Sequence, residues 1–283
     1  MKKILVGVDG SHASLAALNW AGRLGVVLDA DVVAATVFRS QESETDSERY
    51  EALRSEVERQ LHEEWALPPD AEAPYSSLLL ADSPHSLLDA AERENADLVV
   101  VGPEARGRFA SLHIGSFAHH LAHYTDRPLA IVPESGANRG LERIVLGLDG
   151  SAGSSDAARW CAAVAATAGA HVVAAYAFKP PIEFLPESDA HSWFVTSQHE
   201  LERWVGPLRD AGVAFDAQVV KETHPVQGLV HAVDSVDADL VVVGARGIGG
   251  FSGLRVGRVP LQLVHHTHVP VVMVPATTAR RSA

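Results

Sequence analysis

Short apolar runs closed by Asp or Gly alternate along this chain with segments whose apolar residues recur every three or four positions. The first pattern predicts buried strands and the second amphipathic helices. Residues 4–8 read as a strand ended by Asp9 and Gly10. Ala13, Ala16, Ala17, Trp20, Ala21 and Leu24 then form one face of a helix. A second strand is expected over 32–38. Tyr50, Leu53, Val57, Leu61 and Trp65 make the apolar stripe of an otherwise acidic helix, whose charges read as a solvated face. Strands near 75–80, 98–101 and 129–132 follow, with helices near 84–95 and 115–125 between them.

The same pattern then starts again. Ile4, Leu5, Val6, Gly7, Val8, Asp9, Gly10 and Ser11 align with Ile144, Val145, Leu146, Gly147, Leu148, Asp149, Gly150 and Ser151 at an offset of 140 (149 − 9). The offset holds past Trp20 and Trp160 to Phe38 and Phe178. Asp97, Leu98, Val99, Val100, Val101 and Gly102 match Asp239, Leu240, Val241, Val242, Val243 and Gly244 at 142 (244 − 102). Further strands are expected near 215–220, 240–243 and 271–274. Two domains, 1–135 and 143–277, are therefore expected, joined by a polar stretch around 133–142 containing Gly136, Asn138 and Gly140. Strands alternating with helices imply crossover connections, and continuous apolar strands imply a sheet covered on both sides. The expected fold is α/β: two tandem doubly wound domains, each a five-stranded parallel sheet with four helices spread over both faces.

Bulk properties narrow the function. The 283 residues suit two domains, and a formal net charge of −13 argues against broad binding to nucleic acid or an anionic membrane. The one cysteine, Cys161, has no disulfide partner, and residues 1–30 lack the basic-then-apolar form of a secretory leader, so a cytoplasmic location is expected. Residues 160–178 are nearly all apolar, but their counterparts include Arg23, Asp29 and Asp31, which makes a helix followed by a buried strand the better reading than a membrane span.

In an open parallel sheet, ligands sit beyond the carboxyl ends of the strands where the strand order reverses. Gly7 and Asp9, with Gly147 and Asp149, end the first strand of each half; Gly102 and Gly244 end the fourth. A glycine-rich loop runs from Gly244 through Arg246, Gly247, Gly249 and Gly250 to Gly257 and Arg258. Such a loop lets backbone amides approach an anion, and a helix starting near Gly257 adds free N–H groups and a positive dipole end. No Gly is followed by Lys as in a P-loop, and the glycines do not fall as G-x-G-x-x-G.

Gly244, Gly247 and Gly257 fit the spacing G-x2-G-x9-G. With the Asp-Gly-Ser strand ends and the closing Pro-Val-Val-Met-Val-Pro run, the chain resembles the ATP-binding branch of the universal stress protein family over nearly its whole length, twice. That resemblance implies an adenine nucleotide alpha hydrolase-like fold and ATP as ligand, with Mg2+ as a companion ion. It places the nucleoside near Asp9, Val37, Gly102, Gly115 and Ser116 in the first half and near Asp149, Ala177, Gly244, Gly247 and Gly257 in the second. Arg106, Gly107, Arg246 and Arg258 are added as further phosphate contacts. Both halves depart from the signature. The first has Ala105 at the middle glycine, after Pro103 and Glu104, a carboxylate that Arg106, Arg108 or a metal ion would have to offset. The second has Arg258 where a hydroxyl is expected. The implied role is a nucleotide-dependent regulator in stress response, with protein partners not named by the sequence. In that family last strands often pair across a dimer interface, so the strands at 129–132 and 271–274 are candidates to pair within the chain or in a homodimer.

Competing readings exist for each feature. Asp9, Ser11, Asp149 and Ser151 can serve as helix caps. His119 and His123, and His265, His266 and His268, lack a third metal ligand at suitable spacing, so no metal site is expected. Cys161 reads as a buried structural thiol. A slow ATPase or nucleotidyl-transferring enzyme on the same fold, and an interaction module that has lost its nucleotide, are the alternatives to the regulator.

Overall fold

The computed structural model describes residues 1–38, 55, 75–81, 84–103, 115–178, 187–221, 224–248 and 256–277. The expected acidic helix at 50–65 lies outside them, apart from residue 55. The chain divides into two compact units, Met1–Asn138 and Arg139–Ala283.

In the first unit, β1 (Lys3–Gly7), α1 (His12–Leu28), β2 (Asp31–Phe38), β3 (Tyr75–Ala81), α2 (Pro84–Arg93), β4 (Leu98–Val101), α3 (Ser116–Tyr124) and β5 (Leu129–Ile131) follow in order. The strands lie in the order β3-β2-β1-β4-β5, all parallel. The second unit repeats this with β6 (Arg143–Gly147), α4 (Ala152–Ala168), β7 (His171–Phe178), α5 (Glu187–Trp204), α6 (Gly206–Asp210), β8 (Phe215–Lys221), α7 (Pro225–Ser235), β9 (Leu240–Gly244), α8 (Arg258–His266) and β10 (Val271–Val274). Its order is β8-β7-β6-β9-β10, again parallel. The nearly apolar stretch at 160–178 divides into the end of α4 and β7, and no helix among the described residues is long and apolar enough to cross a membrane.

Helices cover both faces of each sheet, and two glycines per unit show it. A Cβ on Gly7 would meet Leu87 of α2 and the neighbouring strand's Val101, each at 3.1 Å. One on Gly102, the residue after Val101, would meet Ala13 of α1 instead. Successive strand residues point to opposite faces, so α1 and α2 lie on opposite sides. Gly147 against Leu229 of α7, and Gly244 against Gly153 of α4, repeat the arrangement. Covered on both sides, β4, β5 and β10 are buried at every position, which is why they carry no alternation.

Local chemistry sets the helix limits. Ser11 and Ser151 accept from Ser14 N at 3.2 Å and Ser154 N at 3.1 Å and cap two 17-residue helices. Each cap contributes about 1 kcal/mol. Asp29 and Gly169 end those helices in the left-handed conformation, at φ 51° and 67°. The crossover after β7 contains two helices where one was expected. Pro207, at the start of α6, has no N–H to continue α5 and its ring would strike the carbonyl four residues back. Residues 134–136 form a turn of 3-10 helix, and Asn19 and Arg23 of α1 donate to Asn138 just beyond it.

The Asp that opens each Asp-Leu-Val-Val-Val run has a structural task invisible in its sequence pattern. Asp239, buried, accepts from Glu142 N at 2.8 Å and Arg143 N at 2.9 Å, tying the start of β6 to β9. Asp97 does the same for Lys2 and Lys3. Removing the buried acceptor strands two backbone donors, so Asp239→Ala is expected to cost about 3 kcal/mol. A lower urea midpoint at unchanged slope is the readout, with Asp97→Ala, at an exposed pair of bonds, costing less.

Cys161 is fully buried in α4, and burial pushes its thiol up to about 12. It should resist thiol reagents at pH 8 in the folded protein and react once urea unfolds the chain. Rapid labelling of the native protein would contradict this.

Candidate functional site

In each unit the strand order reverses between the first and fourth strands, β1 and β4 or β6 and β9, so the crevice opens beyond their carboxyl ends. Asp149 follows β6 and Gly244 ends β9. Asp149 Oδ1 accepts from Ser151 N at 3.0 Å, a local turn made possible by Gly150 at φ 78°. Its other oxygen, Oδ2, accepts from Ile248 N at 3.0 Å. The strand-end carboxylate and the glycine loop are thus in direct contact. Ser151, besides capping α4, donates from Oγ to Arg246 O at 3.2 Å, fastening the loop a second time.

The loop comes this close because glycines remove side chains from the contacts. A Cβ on Gly244 would fall 2.5 Å from Gly153 C and 2.7 Å from Ser154 N, within the first turn of α4. A Cβ on Gly247 would collide with Asp149 Oδ2, and one on Gly153 with Arg246 O. At its far end Gly257 N donates to Ala245 O at 2.7 Å, which closes the loop on itself and sets Gly257 as the first cap of α8. Arg258, exposed, is the first residue of that helix.

The first unit builds the same frame. Asp9 Oδ1 accepts from Ser11 N at 2.9 Å, Gly102 packs on Ala13, and Gly115 N donates to Pro103 O at 2.7 Å. The closing bonds span the same number of residues in both halves, 12 (115 − 103 and 257 − 245). Ser116 stands exposed at the start of α3. Arg106, Gly107, Gly249 and Gly250, with Glu104, Ala105 and Arg108, lie outside the described residues.

The ends of the second strands differ between units. Thr36 is buried and donates to Val8 O at 2.9 Å. Its counterpart Tyr176 meets Trp204 edge to face, with ring centroids 5.0 Å apart, and the Trp204 indole lies against Gly150. Burial first, then the charges of Glu200 and Asp149, raise the Tyr176 hydroxyl above its ordinary value. Ala177, half-buried, follows it; Val37 occupies the equivalent place in β2, paired with Leu80.

The universal stress protein family profile matches residues 1–133 and again 140–275. The chain belongs to the universal stress protein family. A Mycolicibacterium smegmatis universal stress protein is 28% identical over 295 residues, covering 96% of both chains. One from Mycobacterium tuberculosis is 27% identical over 202 residues, covering 67% of this chain and 68% of its own. The crystal structure of a universal stress protein from Archaeoglobus fulgidus shares the fold, with a TM-score of 0.62 and 17% identity over 96% of this chain and 97% of that one.

Within this tandem family member, the residues singled out in the sequence have unequal structural explanations. Gly102 and Gly244 face helix backbone that leaves no room for a Cβ, Gly247 faces the Asp149 carboxylate, and Gly7 and Gly147 pack closely against side chains. Gly257 has no such neighbour among the described residues: its φ is −90°, and a Cβ there would find Ala245 O at an ordinary 3.6 Å. Sequence reasoning missed the Ile248 amide, Tyr176 and Trp204. The amide carries no residue-type signal, and the two aromatics read simply as apolar positions. The rings of His119 and His123 lie 4.5 Å apart, tilted by 46°, and burial with the charges of His119 and His120 lowers His123. Among the described residues no three His, Cys, Asp or Glu side chains converge on a metal-sized site.

Proposed function

We propose that this chain is an ATP-binding universal stress protein, a nucleotide-dependent regulator in stress response, whose second unit holds the nucleotide beside Asp149 and along the glycine loop. Gly257 is the observation that carries the reading. Neither its backbone angle nor its packing among the described residues demands glycine, whereas an anion drawn up to the start of α8 does. Among the described residues no side chain caps the N–H groups at the start of the helix, since Gly257 has none to offer. Arg246 and Arg258 flank the same end and suit a triphosphate, alone or with Mg2+. The crevice between β6 and β9 receives the nucleoside beside Asp149, with Ala177 as the small residue next to the base. The first unit, with Asp9, Val37, Gly102, Gly115 and Ser116, is proposed as the second nucleotide site. A cytoplasmic location, with ATP at hand and a reduced thiol, accords with this reading.

Denaturing the purified protein and identifying any released nucleotide by chromatography tests the proposal. Adenine nucleotide is expected. A different ligand, or none together with no response on titration with ATP, overturns it.

A further inference from the structure

His119 and His123 stand four residues apart on α3, so their side chains share one face of that helix. Their ring centres lie 4.5 Å apart and the ring planes are tilted by 46°. The neighbouring pair with the same spacing, His120 and Tyr124, is stacked instead, at 4.3 Å and 27°. Two imidazoles bound at right angles to one metal ion, through bonds of about 2.1 Å, have ring centres about 4.5 Å apart. His119 and His123 already have that separation. His119 is exposed, so solutes reach the pair, and His123 is half-buried. Burial, with the charges of His119 and His120, holds the His123 imidazole below its ordinary value and favours the neutral form that binds metals. His123 also lies in the last turn of α3, where the helix dipole favours a cation. Among the described residues no third side chain converges on the pair. An exchangeable ion held by two imidazoles and water needs none.

We propose that His119 and His123 form a two-imidazole chelate for a divalent transition ion that favours right-angled nitrogen ligands, as Ni2+ and Cu2+ do, with water filling the other positions. Mg2+ prefers oxygen ligands and belongs to a different kind of site. An ion bridging the two rings ties successive turns of α3, the helix that begins at Ser116. The inference stands independently of the nucleotide reading.

The test titrates the full chain with nickel chloride alone, by calorimetry, in the wild-type protein, His119→Asn and His123→Asn. His265→Asn serves as a control for the other histidines. Losing one of two ligands, the first two variants should bind Ni2+ about tenfold more weakly or worse, while the control keeps the wild-type affinity. His119→Asn changes an exposed position, so it keeps the test decisive if His123→Asn disturbs packing. Ni2+ should slow amide exchange over 116–124 in the wild-type protein and not in either variant. Cu2+ should bind more tightly than Ni2+, and excess Mg2+ should not displace it. No Ni2+ bound by the wild-type protein, wild-type affinity in either variant, an equal loss in the control, or displacement by Mg2+ overturns the proposal.

Discussion

Gly244→Ala should destabilise the second unit by about 3 kcal/mol and abolish nucleotide binding there. The added Cβ would lie 2.5, 2.7 and 2.9 Å from Gly153 C, Ser154 N and Gly153 O, all backbone atoms. A flexible side chain could swing aside; the first turn of α4 cannot, because Ser151 holds it through Ser154 N. Relief must come from moving β9 away from α4, and that movement carries the loop off Asp149. Gly102→Ala provides a matched comparison, since its Cβ would lie 2.8 to 2.9 Å from Ala13 in the first unit. Denaturant unfolding with each variant, followed by ATP titration, reads both effects. Wild-type stability in Gly244→Ala would refute the packing account.

Gly257→Ala should do the opposite on one axis. Stability should fall by about 1 kcal/mol or less, the amount by which Ala is inferior to Gly as a first cap, because the nearest described atom to the new Cβ is 3.6 Å away. Nucleotide affinity should fall about tenfold or more, since a methyl group would stand where the anion approaches the α8 amides. A melting curve and a calorimetric titration on the same preparation separate the two. Equal affinity in Gly257→Ala would remove the main support for a phosphate at this helix.

The strands and the duplication were legible because both depend on residue type in order. Leu98–Val101 and Val271–Val274 are apolar throughout because both faces are covered, and a repeated Asp-Gly-Ser after a strand needs no structure to be seen. What each glycine is for was not legible. Gly7 and Gly257 look alike in a sequence, yet one faces Leu87 and Val101 at 3.1 Å and the other, among the described residues, has only ordinary contacts of 3.6 Å or more. The distinction lies in what opposes the residue, and that neighbour is distant in the chain. The same holds for Asp239, which reads as the edge of a strand until Glu142 and Arg143 are seen donating to it. Asp149 was legible as a strand-end carboxylate, but its bond to Ile248 joins residues 99 positions apart. The break between α5 and α6 has a local signal in Gly206 and Pro207.

Equilibrium dialysis of the intact chain against labelled ATP, with Gly257→Ala alongside, bears most directly on the proposed nucleotide site. The account predicts stoichiometric ATP on the wild-type protein and a marked loss in the variant, with both equally folded. No ATP retained by the wild-type protein at millimolar ligand, or the same amount retained by the variant, would contradict it.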